Sequence, residues 1–152
     1  MIRLKYMNTL HFSIFINAPK EKVWDTMLED ATYRLWTKPF NETSYYEGDW
    51  SEGSQILFLG TDTERNVSGG MISRIAKNIP FEYVSIQHLG MIENGVETLF
   101  EGDNAFENYT LVEKDGGIEL RIEMTNTLDE YVAYMNETWP KALDVLKALA
   151  EK

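Results

Sequence analysis

The chain has 152 residues, 43% of them hydrophobic, and a net charge of −11 from 14 Lys and Arg against 25 Asp and Glu. A chain of this length can bury a core of its own, and its acidic field repels both a nucleic-acid backbone and an anionic membrane surface. The absence of cysteine excludes disulfides, thiolate metal sites and cysteine nucleophiles, and no apolar run approaches the roughly 20 residues that span a bilayer.

Residues 1–9 read as an N-terminal extension and the start of the first strand. Residues 1–7 carry positive charge with no apolar stretch behind them, which is not the pattern of a signal peptide. Residues 10–152 read as one domain, with a cytoplasmic location expected. Leu10–Ile16 has strand alternation, with Phe12, Ile14 and Ile16 on one side. Pro19 then opens a helix bearing Val23, Trp24, Met27 and Leu28 at helical spacing. Asp30–Trp36 is a second short helix, expected to bury Leu35 and Trp36.

A series of strands follows: Asn41–Glu47, Gln55–Leu59, Met71–Ala76, Phe81–Gly90, Glu107–Glu113 and Ile118–Thr125. The glycine pairs at 69–70 and 116–117 read as turns, and Asp115-Gly116-Gly117 is a hairpin signal. In Ile118–Thr125, Ile118, Leu120, Ile122 and Met124 alternate with Glu119, Arg121 and Glu123, which describes one dry and one wet face.

The C-terminal segment is helical. Thr127 and Glu130 form a capping-box pattern. Val132, Met135, Trp139, Leu143, Leu146 and Leu149 form an apolar stripe. Pro140 within the stripe predicts a kink or break near residues 136–139. Sequential strands with short turns favour an antiparallel sheet. Its dry face needs a cover, and the C-terminal helix is the long element available to supply it.

Residues 39–64 and 93–107 hold acids, Glu107 among them, with no Lys or Arg. Their spacing matches no calcium loop, so they read as solvated loops at the sheet rim, with a docking face for a basic partner as the alternative. No Ser/His/Asp order, HExxH, P-loop or GxGxxG is present. No cofactor, metal site or catalytic residue is assigned.

Four stretches are familiar together: Ile16-Asn-Ala-Pro-Lys-Glu-Lys-Val-Trp-Asp25, Trp36-Thr-Lys-Pro39, Glu47-Gly-Asp-Trp-Ser-Glu-Gly53 and the tail from Glu137 to Leu149. They resemble the SRPBCC superfamily, the START/Bet v 1-like group, and within it the branch related to the C-terminal domain of the activator of Hsp90 ATPase. The resemblance implies an α+β helix-grip fold. In that fold a curved antiparallel sheet of six to seven strands wraps a long C-terminal helix, and two short helices follow the first strand. It also implies an apolar cavity between sheet and helix.

Trp36, Tyr45, Phe58, His88, Tyr109, Met135 and Trp139 are the expected cavity residues. Aromatic side chains with polar tips suit a small apolar or amphipathic ligand. His88 shares a strand face with Val84 and reads either as a cavity base or as a core-edge histidine satisfied by a neighbour. His11 falls on the opposite face from Phe12, toward solvent. Three functions follow: a small-molecule binding protein, a cyclase/aromatase- or hydrolase-like enzyme using His88, or a chaperone-associated interaction protein.

Overall fold

The structure, a computed structural model, describes residues 2–3, 8–62 and 67–152. The elements in chain order are β1 (Ile2–Arg3), β2 (Thr9–Ile16), α1 (Lys20–Leu28), α2 (Asp30–Trp36), β3 (Tyr45–Gly48), β4 (Gln55–Asp62), β5 (Val67–Ile79), β6 (Tyr83–Glu93), β7 (Val96–Glu101), β8 (Phe106–Lys114), β9 (Gly117–Thr125) and α3 (Asp129–Ala150). The sheet runs β2-β9-β8-β6-β5-β4-β3, with β7 paired to β6 and β1 paired to β7. Every pair is antiparallel except β1 with β7. The helix-grip architecture follows: α3 lies on the inner face, packed against β2, α1 and α2.

The alternation along β9 explains why the sheet has an inside. Ile118, Leu120, Ile122 and Met124 are buried, while Arg121 is exposed. They meet the stripe of α3, where Trp139, Ala142, Leu143 and Leu146 are each at most 2% exposed. The hairpin before β9 is tight. Asp115 (φ 51°) and Gly116 (φ 80°) are both left-handed, the requirement of a two-residue turn between right-twisted strands.

Strand β6 is the branch point. Its first half, Tyr83–Gln87, pairs with β8, and its last residues, Gly90–Glu93, pair with β7. His88 sits at the divergence, its N–H donating to the Ala105 carbonyl at 2.8 Å. Register shifts in the β5–β6 ladder fall between Ile72 and Ser73 and between Ile75 and Lys77. Such bulges sharpen local twist and re-aim side chains.

Several expectations need correction. Strand β7 lies inside the stretch read as a solvated acidic loop; of its side chains Phe100 is buried, so the period-2 signal is weak. Residues 41–44 form a turn rather than strand: the Asn41 Oδ1 accepts from the Thr43 N–H and hydroxyl, each at 2.8 Å, and holds the backbone out of the ladder. Gly69 and Gly70 lie within β5, paired on both sides, and are not a turn. Leu35 is 42% exposed, and Tyr33 takes the buried position beside Trp36.

The capping box also fails to form. Leu128 occupies the N-cap of α3 with no side-chain cap hydrogen bond. The Thr127 backbone is instead engaged by Asn8, whose Oδ1 accepts from the Thr127 N–H at 2.9 Å and whose Nδ2 donates to its carbonyl at 2.6 Å. The break before Pro140 is absent, and α3 is continuous from Asp129 to Ala150. Both Pro140 and Asn136, whose carbonyl loses its partner, are exposed, so water can satisfy that oxygen. Among the described residues, no helix is long and apolar enough to cross a membrane.

Candidate functional site

A cleft of about 650 Å³ opens between the inner face of the sheet, the turn after α2 and the N-terminal half of α3. Its walls are aromatic because three elements each deliver rings to one place. The end of α2 brings Trp36, followed by Phe40; α3 brings Trp139; β8 brings Tyr109. Trp139 lies 5.1 Å from Phe40, 5.9 Å from Trp36 and 6.1 Å from Tyr109 between ring centroids. The two indole N–H groups point away from the space: Trp36 donates to the Met27 carbonyl at 3.0 Å, and Trp139 is directed at the Met124 sulfur at 3.1 Å. With their polar tips satisfied in the core, the buried indoles form the apolar backing of the cleft.

The expected cavity residues Trp36, Phe58, His88, Tyr109, Met135 and Trp139 line this cleft. Tyr45 is not among the lining residues; the Arg34 guanidinium lies 5.2 Å from its ring centroid. Tyr46 points inward in its place, packing 5.0 Å from Tyr33 and donating to the Leu28 carbonyl at 2.7 Å. One residue of strand parity decides which tyrosine faces the interior.

The floor is polar and built across strands. The His88 Nδ1 lies 2.7 Å from the Ser73 hydroxyl, and its Nε2 lies 3.2 Å from the Glu107 carboxylate. The other oxygen of Glu107 accepts from the Tyr109 hydroxyl. Because Glu107 accepts a hydrogen bond from the Tyr109 hydroxyl and faces Nε2, the tautomer that satisfies every contact carries its hydrogen on Nε2 and accepts from Ser73 at Nδ1. His88 is 8% exposed and Ser73 is fully buried. His88 is therefore satisfied by neighbours and also reaches the cleft, so its two sequence-level readings are not exclusive. His11 is exposed.

Sequence reasoning missed Tyr33, Phe40 and Glu107 as lining residues. Glu107 had a usable signal. It stands two residues before Tyr109 on one strand and so shares its face. Among the described residues, no group of three or more His, Asp or Glu side chains is placed to hold a metal ion.

Burial raises the phenols of Tyr33 and Tyr109 above their ordinary range, and the charge of Glu107 adds to both shifts. A phenol whose pKa is raised on folding contributes stability that is complete below about pH 10 and is lost as pH rises toward the folded value. In an ultraviolet titration the tyrosinate signal of these two side chains is expected to emerge only with alkaline unfolding, after that of exposed tyrosines. Ionisation of every tyrosine near pH 10 in folded protein would contradict this placement.

Among curated proteins, no sequence matches the chain. Solved structures share its fold. Protein CV1439 from Chromobacterium violaceum is 21% identical, with 95% of this chain and 98% of that chain covered and a TM-score of 0.73. The structure of an Aha1 dimer from Colwellia psychrerythraea is 21% identical, with 95% and 96% covered and a TM-score of 0.70. CalU16 from Micromonospora echinospora is 19% identical, with 95% and 76% covered and a TM-score of 0.67. Likeness at these identities shows the fold, and the helix grip is common to all. The sequence itself is more specific: the profile of the family described as activator of Hsp90 ATPase homolog 1-like protein matches residues 17–151, from the loop after β2 through α3, and the chain belongs to that family.

Proposed function

We propose that this protein binds a small amphipathic molecule in the cleft beneath α3. The observation that carries this reading is the pairing of an aromatic wall with a buried polar floor: Trp36, Phe58 and Trp139 surround a space whose base presents His88, Glu107 and Tyr109. Concave apolar sites with a few convergent polar groups are where small ligands are held. A polar network sunk in an apolar cavity costs stability unless each member is satisfied, and here the network still exposes Glu107 to the cleft. The family's name points to a chaperone; the feature supporting a function in this chain is the cleft.

One observation favours a second reading, proton transfer on the bound molecule. His88 and Glu107 lie within hydrogen-bond reach of each other at the cleft surface. Ser73 does not line the cleft, so it orients the imidazole and is not positioned as a hydrolytic nucleophile.

The test uses 2-naphthol, an aromatic body with one donor, titrated against tryptophan fluorescence. Saturable quenching is expected, weakened about tenfold or more in Met135→Trp. That substitution fills the cleft from a half-buried position on α3 and leaves the buried residues Trp139, Ala142, Leu143 and Leu146 unchanged. No saturable binding up to millimolar naphthol, or equal binding by the variant, would sink the proposal. In deuterium oxide, exchange of the naphthol carbon-1 hydrogen at the rate in buffer supports binding alone; faster exchange that depends on His88 supports the second reading.

A further inference from the structure

The cleft has a chemical sign. Glu107 keeps 16% of its side chain exposed, and its partners are the His88 Nε2 at 3.2 Å and the Tyr109 hydroxyl. Two donors leave acceptor positions on a carboxylate unfilled. At the rim, Glu93 adds a second carboxylate, which accepts from Tyr131 at 3.2 Å. Among the described residues lining the cleft there is no Lys or Arg, and His88 is the one base. Phe58, half-buried on the cleft wall, lies 6.4 Å from the His88 ring at 83° and so stands beside the same polar floor.

We propose that the cleft selects an organic cation, a molecule with a tertiary or quaternary ammonium head on an apolar body, the head seated between Glu107 and the half-buried ring of Phe58. This rests on the reading of the cleft as a ligand site and specifies the charge of its occupant. Three effects act in the same direction. A cation over an aromatic face is attracted by the ring quadrupole, most strongly once desolvated. The half-buried carboxylate supplies a counter-charge that no lysine or arginine of the lining already neutralises. The chain's net charge of −11 draws cations toward the cleft and repels anions. A carboxylate or phosphate ligand would bring its charge against the like charges of Glu107 and Glu93, which is costly.

The decisive comparison is benzyltrimethylammonium against neopentylbenzene, its neutral isostere with carbon in place of nitrogen, each titrated into the full chain. The cation is expected to bind at least about tenfold more tightly, and Glu107→Gln is expected to shrink that ratio to about threefold or less. Neopentylbenzene binding as tightly as the cation to the unmodified protein would overturn the inference, as would an undiminished preference in Glu107→Gln. Should that variant fail to fold, the comparison in the unmodified protein still decides. Failure of both probes together with 2-naphthol would bring down the ligand-site reading itself. Naphthol binding without a preference for the cation brings down this inference alone.

Discussion

Trp36→Ala is expected to lower the unfolding free energy by about 3–5 kcal/mol, the range for truncating a buried tryptophan. Trp36 is 1% exposed and stands where α2, α3 and β8 converge. Its ring touches Tyr33 at 5.6 Å, Trp139 at 5.9 Å and Tyr109 at 6.5 Å between centroids. Truncation therefore removes contacts from several neighbours at once. It also leaves the Met27 carbonyl, at the end of α1, without the indole donor that lies 3.0 Å away. An acceptor stranded in this way costs about 1–3 kcal/mol where water cannot reach it. Here the vacated volume adjoins the cleft, so water can enter and relieve part of that cost, which keeps the expected loss within the stated range. Trp36→Phe keeps a ring but not the donor and is expected to lose roughly half as much. Urea unfolding measures both. A loss below about 1 kcal/mol for the alanine variant would mean that the ring is not the shared packing element described.

How much of this was legible in the sequence depended on whether the signal was local. The alternation of β9 and the Asp115-Gly116 turn are local, and the structure contains both. The aromatic residues of the cleft could be anticipated because large rings must pack and the helix grip supplies one interior. Of the polar floor, His88 could be anticipated and Glu107 had a signal, but their joining with Ser73 into one network could not. Ser73, His88 and Glu107 come from three strands, brought together where β6 branches and where the β5 register shifts. No spacing along the chain encodes a cross-strand bulge.

The failure at Thr127 has the same origin. Its pattern matches a capping box, but Asn8, 119 residues away, takes its backbone groups. Strand β7 was hidden for the opposite reason. Its alternation is local but nearly all of its side chains face solvent, so composition reads as loop. The expected break at Pro140 gave way to a continuous helix because packing by Trp139, Ala142 and Leu143 on the buried side holds the turn on which the proline sits. Tertiary contacts outweigh one lost backbone hydrogen bond when the orphaned carbonyl faces water.

Gly70→Ala is expected to cost about 2–5 kcal/mol, combining backbone strain with forced separation of two paired strands. Glycine in mid-strand looks like a weakness, and here it is a requirement of close approach. Gly70 has φ +154° and sits between Leu59 of β4 and Ile92 of β6. A Cβ at this position would lie 1.9 Å from the Phe58 carbonyl oxygen and 2.9 Å from its carbon. Both are backbone atoms, so no rotamer change can relieve the overlap, and β4 must move away from β5. Gly53→Ala is the matched control. It is also left-handed, at φ +89°, but a Cβ there meets nothing within 4 Å. Its cost is expected to be about 1–2 kcal/mol, the strain alone. The contrast reaches the cleft as well. Phe58 lies 6.4 Å from His88, and both side chains line the space beneath α3. Displacing β4 therefore shifts an aromatic wall relative to the polar floor, and Gly70→Ala is expected to weaken 2-naphthol binding where Gly53→Ala does not. Equal unfolding midpoints for the two variants would show that β4 yields without cost, and the close strand approach would then not be what places Phe58 beside His88.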